Sequence, residues 1–358
     1  MRLLAFMLLV VSAGLPAAAQ AASPDPDIFV IAAQGTPDDL RAAVKGGLDV
    51  ESRSEHGITP LMRAASGNPD PAVISALVEL GARMDDVDEA GHTPLMFAAK
   101  ANAPDEVVSA LLSRGAEVDA RDEDGSTPLI LTLSTGSARE SMVRLLLAGG
   151  AQVNTGTKDG WTPLLTACRF NPDARVVARL LEAGARVDAK TVEGGTPLLL
   201  ALSASADVDV ITLLLRAGEP ATELSSDGWT PLMAGARFDA TASVLSALVA
   251  AGSPVNVQGE QGVTALMLAG VGCSNPDSIS VLVKAGARLD DRTEDGRTAL
   301  MLAAQYNMNS PVVQAILDAG ANAALKSADG LTAADYAARN RFLYRAPILQ
   351  RLQEASRR

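Results

Sequence analysis

The sequence predicts an all-α solenoid of about ten stacked units, and three observations carry that reading. One short motif recurs nine times, each copy 34 or 35 residues after the last: Thr59-Pro60-Leu61, Thr93-Pro94-Leu95, Thr127-Pro128-Leu129, Thr162-Pro163-Leu164, Thr196-Pro197-Leu198, Thr230-Pro231-Leu232, Thr264-Ala265-Leu266, Thr298-Ala299-Leu300 and a degenerate Thr332-Ala333-Ala334. A glycine follows each of the first eight threonines by 22 residues, at Gly81, Gly115, Gly149, Gly184, Gly218, Gly252, Gly286 and Gly320. Apolar residues make up 48% of the chain but aromatic ones only 3%, which suits a core of Ala, Leu and Val between thin helices. A unit of this size cannot bury its own apolar face and is stable only when stacked on neighbours, so function has to lie on an extended surface.

Each element of the unit has a physical reason. In Asp124-Gly125-Ser126-Thr127-Pro128-Leu129 the Asp-Gly supplies a tight turn with a left-handed glycine. Thr127 caps the helix that follows, and Pro128 takes its first position, where a missing N–H costs nothing. This inner helix is short and ends in small residues (Ala64-Ala65, Ala98-Ala99, Ala303-Ala304), which lets neighbouring helices approach closely. Segments such as Asn68-Pro69-Asp70, Asn171-Pro172-Asp173 and Asn275-Pro276-Asp277 then start a second helix. That helix carries the pairs Leu111-Leu112, Leu145-Leu146, Leu180-Leu181 and Leu213-Leu214 and stops at the glycine, read as a left-handed cap. A polar hairpin leads to the next unit.

This pattern resembles the ankyrin repeat, over nearly the whole chain after residue 26. The resemblance implies helix-turn-helix units joined by β-hairpin loops, with boundaries near 27–56, 57–90, 91–124, 125–159, 160–193, 194–227, 228–261, 262–295, 296–329 and 330–358. The first unit lacks the Thr-Pro-Leu and the last ends on a polar helix from Ile348 to Glu354, so both read as capping repeats. Two features depart from the family. The His that usually follows Thr-Pro-Leu is replaced by aliphatic residues (Met62, Met96, Ile130, Leu165, Leu199, Met233, Met267, Met301), so its polar links between repeats are expected to give way to apolar packing. The unit is also one residue longer than usual, the extra residue falling between the two helices.

Residues 1–22 are different. Arg2 precedes an apolar run from Leu3 to Leu15, followed by small residues at Ala17 and Ala19, the layout of a cleaved secretory signal peptide. The expected destination is the periplasm or the cell exterior; an uncleaved membrane anchor is the alternative. The formal charge of −12 disfavours nucleic acid as a partner. Acid concentrates in hairpins such as Asp85-Asp86, Asp88-Glu89 and Asp122-Glu123-Asp124, whereas Arg339, Arg341, Arg345 and Arg351 make the last unit basic.

Cys168 and Cys273 lie three repeats apart, beyond disulfide reach, so both are expected to be free thiols. Cys168 replaces a small inner-helix alanine and reads as packing. Cys273 is placed near a helix end and expected to be more exposed, leaving a reactive thiol or redox sensor as the rival function. The methionine row has the same two readings, packing or oxidant sink. No His-Glu-x-x-His, Gly-x-Ser-x-Gly or phosphate loop is present, and the two histidines, His56 and His92, sit in successive hairpins, so neither catalysis nor a cofactor nor a metal is expected.

The resemblance implies recognition of another protein through the concave face, by the hairpin tips and the exposed inner-helix positions, which here are the residue before each Thr and those seven and eight after it. These positions hold His92, Trp161, Trp229 and Arg297, then Lys100-Ala101, Arg169-Phe170, Arg237-Phe238 and Gln305-Tyr306. The expected partner-binding set is His92, Lys100, Trp161, Arg169, Phe170, Trp229, Arg237, Phe238, Gln305 and Tyr306, on a monomer. Its aromatics recur 68 residues apart, in every second repeat, and aromatic residues beside Arg dominate interface energetics. Exposure is expected above all for Trp161 and Trp229, while Phe170 and Phe238 have an alternative use as braces between units.

Overall fold

In a computed structural model, which describes residues 27–225 and 228–357, twenty α-helices alternate between two layers. The inner layer contains α1 (Ile28–Gln34), α3 (Pro60–Gly67), α5 (Pro94–Lys100), α7 (Pro128–Ser134), α9 (Pro163–Phe170), α11 (Pro197–Ser203), α13 (Pro231–Arg237), α15 (Ala265–Gly272), α17 (Ala299–Tyr306) and α19 (Ala333–Arg339). The outer layer contains α2 (Pro37–Lys45), α4 (Pro71–Glu79), α6 (Asp105–Ser113), α8 (Glu140–Ala148), α10 (Ala174–Glu182), α12 (Val208–Arg216), α14 (Ala242–Ala250), α16 (Pro276–Lys284), α18 (Ser310–Asp318) and α20 (Pro347–Ala355). Each helix packs on the next of its own layer and on the other helix of its pair. The proposed signal segment lies outside the described residues, and among those described no helix is long and apolar enough to cross a membrane.

The inner helices begin where the motif places them. Thr59 Oγ1 accepts from the Met62 N–H at 3.3 Å, and the same bond recurs at Thr93, Thr127, Thr162, Thr196, Thr230, Thr264 and Thr298. Each cap satisfies one of the donors that a helix start leaves open and is worth about 1 kcal/mol. Methionine adds a second bond in two repeats: the Thr59 and Thr93 N–H groups donate to Met62 Sδ at 3.3 Å and Met96 Sδ at 3.4 Å. The methionine row is fully buried, so it is packing with a capping role, and no sulfur of it meets solvent oxidants.

Apolar packing of the buried methionine row stands where the His links would be, as expected, and separate polar links between repeats run through the inter-helix turn. Buried Asn68 donates from Nδ2 to the carbonyls of Ala32 and Gly35 in the preceding repeat, at 3.1 and 2.9 Å. Asn171 reaches Ala138 O at 3.1 Å, Asn307 reaches Gly270 O and Cys273 O at 2.9 and 3.1 Å, and Asn340 reaches Ala304 O and Asn307 O at 3.0 and 2.9 Å. The amides of Asn68, Asn307 and Asn340 satisfy carbonyls at the C-terminal end of the previous inner helix, and that of Asn171 a carbonyl in the turn before α8, groups that need a donor once water is excluded.

Two further expectations change. Gly149 is not left-handed (φ −74°); the cap moves to Gly150 (φ 98°), because the longer spacing from Thr127 to Thr162 adds its residue before this point. In each of the four leucine pairs only one member is fully buried, Leu111, Leu146, Leu180 and Leu214, while the other packs half-buried at the layer edge. The hairpins form no strand among the described residues. Each closes on itself, as in Ser54 N–H to Ile58 O at 3.0 Å, and successive tips join by single bonds such as Glu123 N–H to Ala90 O at 3.1 Å. Gly91 shows why the tip needs glycine: its φ is 81°, and an added Cβ would stand 3.1 Å from Glu123 N in the next hairpin.

Candidate partner-binding surface

In the third, fifth and ninth units the residue before the cap threonine meets a residue eight or nine positions later, because the hairpin stem lies against the end of its own inner helix. In the third unit Lys100 Nζ lies 3.4 Å from His92 Nε2. His92 is also held internally, with Nδ1 3.1 Å from Asp88 and Nε2 3.6 Å from Asp122 of the next hairpin, and its ring is edge-on to Phe97. Most of its surface is used in joining hairpins.

In the fifth unit the Trp161 and Phe170 rings lie 5.6 Å apart at 39°, and the Arg169 guanidinium sits 5.6 Å from the Phe170 centroid. In the ninth, Arg297 donates to Gln305 Oε1 at 2.9 Å and to the Tyr306 hydroxyl at 3.3 Å, and pairs with Asp295. That pairing holds the Asp295 carboxyl down at about 2 and pushes the Arg297 guanidinium further up. Arg297 thus orients Gln305 and Tyr306.

Exposure within the clusters runs opposite to the expectation for tryptophan. Phe170, Phe238 and Tyr306 are 43%, 38% and 52% exposed, whereas Trp161 and Trp229 are half-buried and Trp229 packs on the core. The large indole follows the hairpin stem inward and braces it, and the smaller rings at the helix ends face solvent. Phe238 stands apart from Trp229 because α13 stops one residue sooner than α9, leaving Phe238 as the residue after the helix. Arg169 and Arg237 are exposed.

Sequence reasoning passed over a pocket of about 320 Å³ beside the ninth-unit cluster. Val263, Met267, Leu268, Val271 and Leu302 form its apolar floor, with Arg237, Arg297 and Tyr306 at the rim. Its only sequence signal is that Gly272 stands where the fifth, seventh and ninth units carry Phe170, Phe238 and Tyr306, which leaves the space open.

Cys273 is a correction. It is buried, 2% exposed, and burial pushes its thiol up to about 12. It occupies the position of Asn68, Asn171 and Asn307 in their repeats, and its Sγ lies 3.6 Å from Ala236 O as those amides lie on theirs. Cys168 is fully buried and its thiol is raised by the same desolvation. Neither thiol is placed to react. Among the described residues no group of three His, Cys, Asp or Glu side chains is arranged to hold a metal ion.

A family model described as ankyrin repeats (3 copies) matches residues 28–122, 100–191, 237–327 and 271–354. The chain belongs to the ankyrin-repeat family. Ankyrin repeats are generally protein–protein interaction modules, and the family is typically non-catalytic. Among solved structures, the ankyrin-repeat chain is similar to the crystal structure of the human ASB11 ankyrin repeat domain, at 28% identity and a TM-score of 0.54, covering 65% of this chain and 99% of that one. Among curated proteins none matches.

Proposed function

We propose that this ankyrin-repeat chain is a non-catalytic scaffold that binds one partner protein through the concave face, by its inner-helix ends and hairpin tips, after export to the periplasm or cell exterior by a cleaved N-terminal signal. One observation carries the binding reading: exposed Phe170, Phe238 and Tyr306 recur on one register in every second unit, each beside an arginine or an arginine-held glutamine. Packing within the stack gives no reason for those rings to face solvent, whereas rigid aromatics beside Arg are the residues that anchor interfaces.

The test uses affinity capture from the periplasm with the purified chain and with a Phe170→Ala, Phe238→Ala, Tyr306→Ala variant. Each true anchor is expected to contribute on the order of 2 kcal/mol, so the triple variant should lose its partner while its melting temperature stays within a few degrees of the parent. Unchanged capture by a well-folded variant would reject this face as the binding site. N-terminal sequencing of the mature protein checks the export reading, which requires a start near residue 23.

A further inference from the structure

The position seven residues after each cap threonine forms a row along the ends of the inner helices: Ser66, Lys100, Ser134, Arg169, Ser203, Arg237, Val271, Gln305 and Arg339. No acidic residue occurs in this row, although the chain carries 42 Asp and Glu against 30 Lys and Arg. Its four cations, Lys100, Arg169, Arg237 and Arg339, are all exposed, and none has a carboxylate within 4.0 Å among the described residues. On the outer helices Arg41, Arg175, Arg179 and Arg351 hold an acidic partner, whereas Arg144 and Arg216 have none within 4.0 Å among the described residues. Asp239, two residues from Arg237, is turned away and takes both the Ser274 N–H at 2.8 Å and the Ser274 hydroxyl at 2.7 Å.

Helix C-termini favour cations through the backbone dipole, but that effect does not call for an exposed aromatic at the next residue, as at Phe170 and Phe238. The apolar pocket lies further along the same face, with Arg237 on its rim. At one helix-packing distance per repeat, Arg169 and Arg237 are separated by about 20 Å, a span that an extended chain covers in about six residues.

We propose that this face takes an extended, acidic segment of the partner protein, with carboxylates on Arg169 and Arg237 and a bulky apolar side chain in the pocket between Arg237 and Tyr306. The proposal rests on the binding reading above and adds the chemistry of the ligand. Arg297 is already neutralised by Asp295, which leaves Arg237 and the Glu294 carboxylate as the charges lining the pocket without an ion-pair partner, so the ligand's carboxylate is placed on the Arg237 side. The exposed hairpin tips, with Glu123, Asp124, Glu193, Glu260 and Glu294, run beside this row and repel a continuous polyanion, which favours a peptide with spaced carboxylates over a nucleic-acid backbone.

The experiment selects a displayed library of random peptides, long enough to span two repeats, on the purified full chain. Enriched peptides are then measured by fluorescence anisotropy against the parent, Arg169→Glu, Arg237→Glu and the Phe170/Phe238/Tyr306 alanine variant, with a single-stranded DNA oligonucleotide alongside. Enriched sequences should be net acidic with an aromatic residue or leucine, and each charge reversal should weaken them by about tenfold or more with an unchanged melting temperature. A basic or neutral pool that still depends on the three aromatics overturns the acidic-segment proposal and leaves the binding face standing. A pool indifferent to the aromatics, or no enrichment at all, overturns both. Oligonucleotide binding tighter than any peptide overturns the choice of a protein segment.

Discussion

Position 219 directly follows the glycine that ends α12, and the matching residues of other repeats are Ala82, Ala116, Ala151, Ala185, Ser253, Ala287 and Ala321. Glu219 is nevertheless buried there. Its Oε1 accepts from the Leu198 N–H at 2.8 Å, at the start of α11, while Oε2 is buried without a partner. Desolvation pushes the carboxyl up to about 7; the Leu198 and Thr196 bonds pull against it, and the negative charge of Glu223 adds to the rise. A carboxyl raised on folding binds a proton more tightly in the native state, so its contribution to stability is fully present below about pH 4.5 and is lost as pH rises through about 7. The shift corresponds to a contribution on the order of 3 kcal/mol. Denaturant melts at pH 5 and pH 8 should show the parent losing stability over that interval relative to Glu219→Gln, and parallel pH profiles would show that Glu219 is solvated. Cys273 makes a second demand at this scale. Buried and holding Ala236 O, it should stay unmodified by a water-soluble disulfide reagent in the native protein and react only on unfolding, as should Cys168; rapid labelling of either thiol would restore the sensor reading.

The inner helix and its cap were legible from the motif because Thr and Pro act through local geometry, and the structure has them where the sequence placed them. The turn after that helix was not, and Asn68 and Asn102 show why. Both lie nine residues after a cap threonine, yet Asn68 turns back to the preceding repeat, while Asn102 adopts a left-handed backbone (φ 49°) and donates forward to Ser137 O at 3.1 Å. Residue type alone does not separate the two turns, since asparagine tolerates both. The left-handed version shortens the inner helix by one residue, as α5, α11 and α13 compared with α3, α9 and α17, and so decides which way the next side chains face. Trp161 and Phe170 lie together as the register implies, Trp229 and Phe238 do not, and the order of exposure was missed because it depends on this turn and on the hairpin stem. Ser205 (φ 55°) is the one residue at this turn that is left-handed without being Gly, Asn or Asp. Ser205→Gly should therefore stabilise the protein by about 0.5–1 kcal/mol despite the greater freedom of glycine in the unfolded chain. A urea midpoint that falls instead would mean that the serine side chain contributes more than the strain costs.

Across the whole molecule, stability in a stack is a sum of unit and neighbour terms, so the effect of a core truncation depends on how many interfaces the residue serves. Leu180 and Leu352 are both fully buried leucines on outer helices, which makes them a matched pair. Leu180 belongs to α10, flanked by α8 and α12 and backed by α9, whereas α20, which carries Leu352, has only α18 and α19 against it. Leu180 rather than Leu181 is the informative site, because Leu181 is only half-buried. Leu180→Ala should cost about 2–5 kcal/mol and weaken the array on both sides of the fifth unit. Leu352→Ala removes the same atoms but should act locally, speeding hydrogen exchange in α19 and α20 while leaving the main unfolding transition close to that of the parent. Equal downward shifts of the main transition, with uniform exchange along the chain in both variants, would show that the ten helix pairs unfold as one indivisible body and that the nearest-neighbour description fails here.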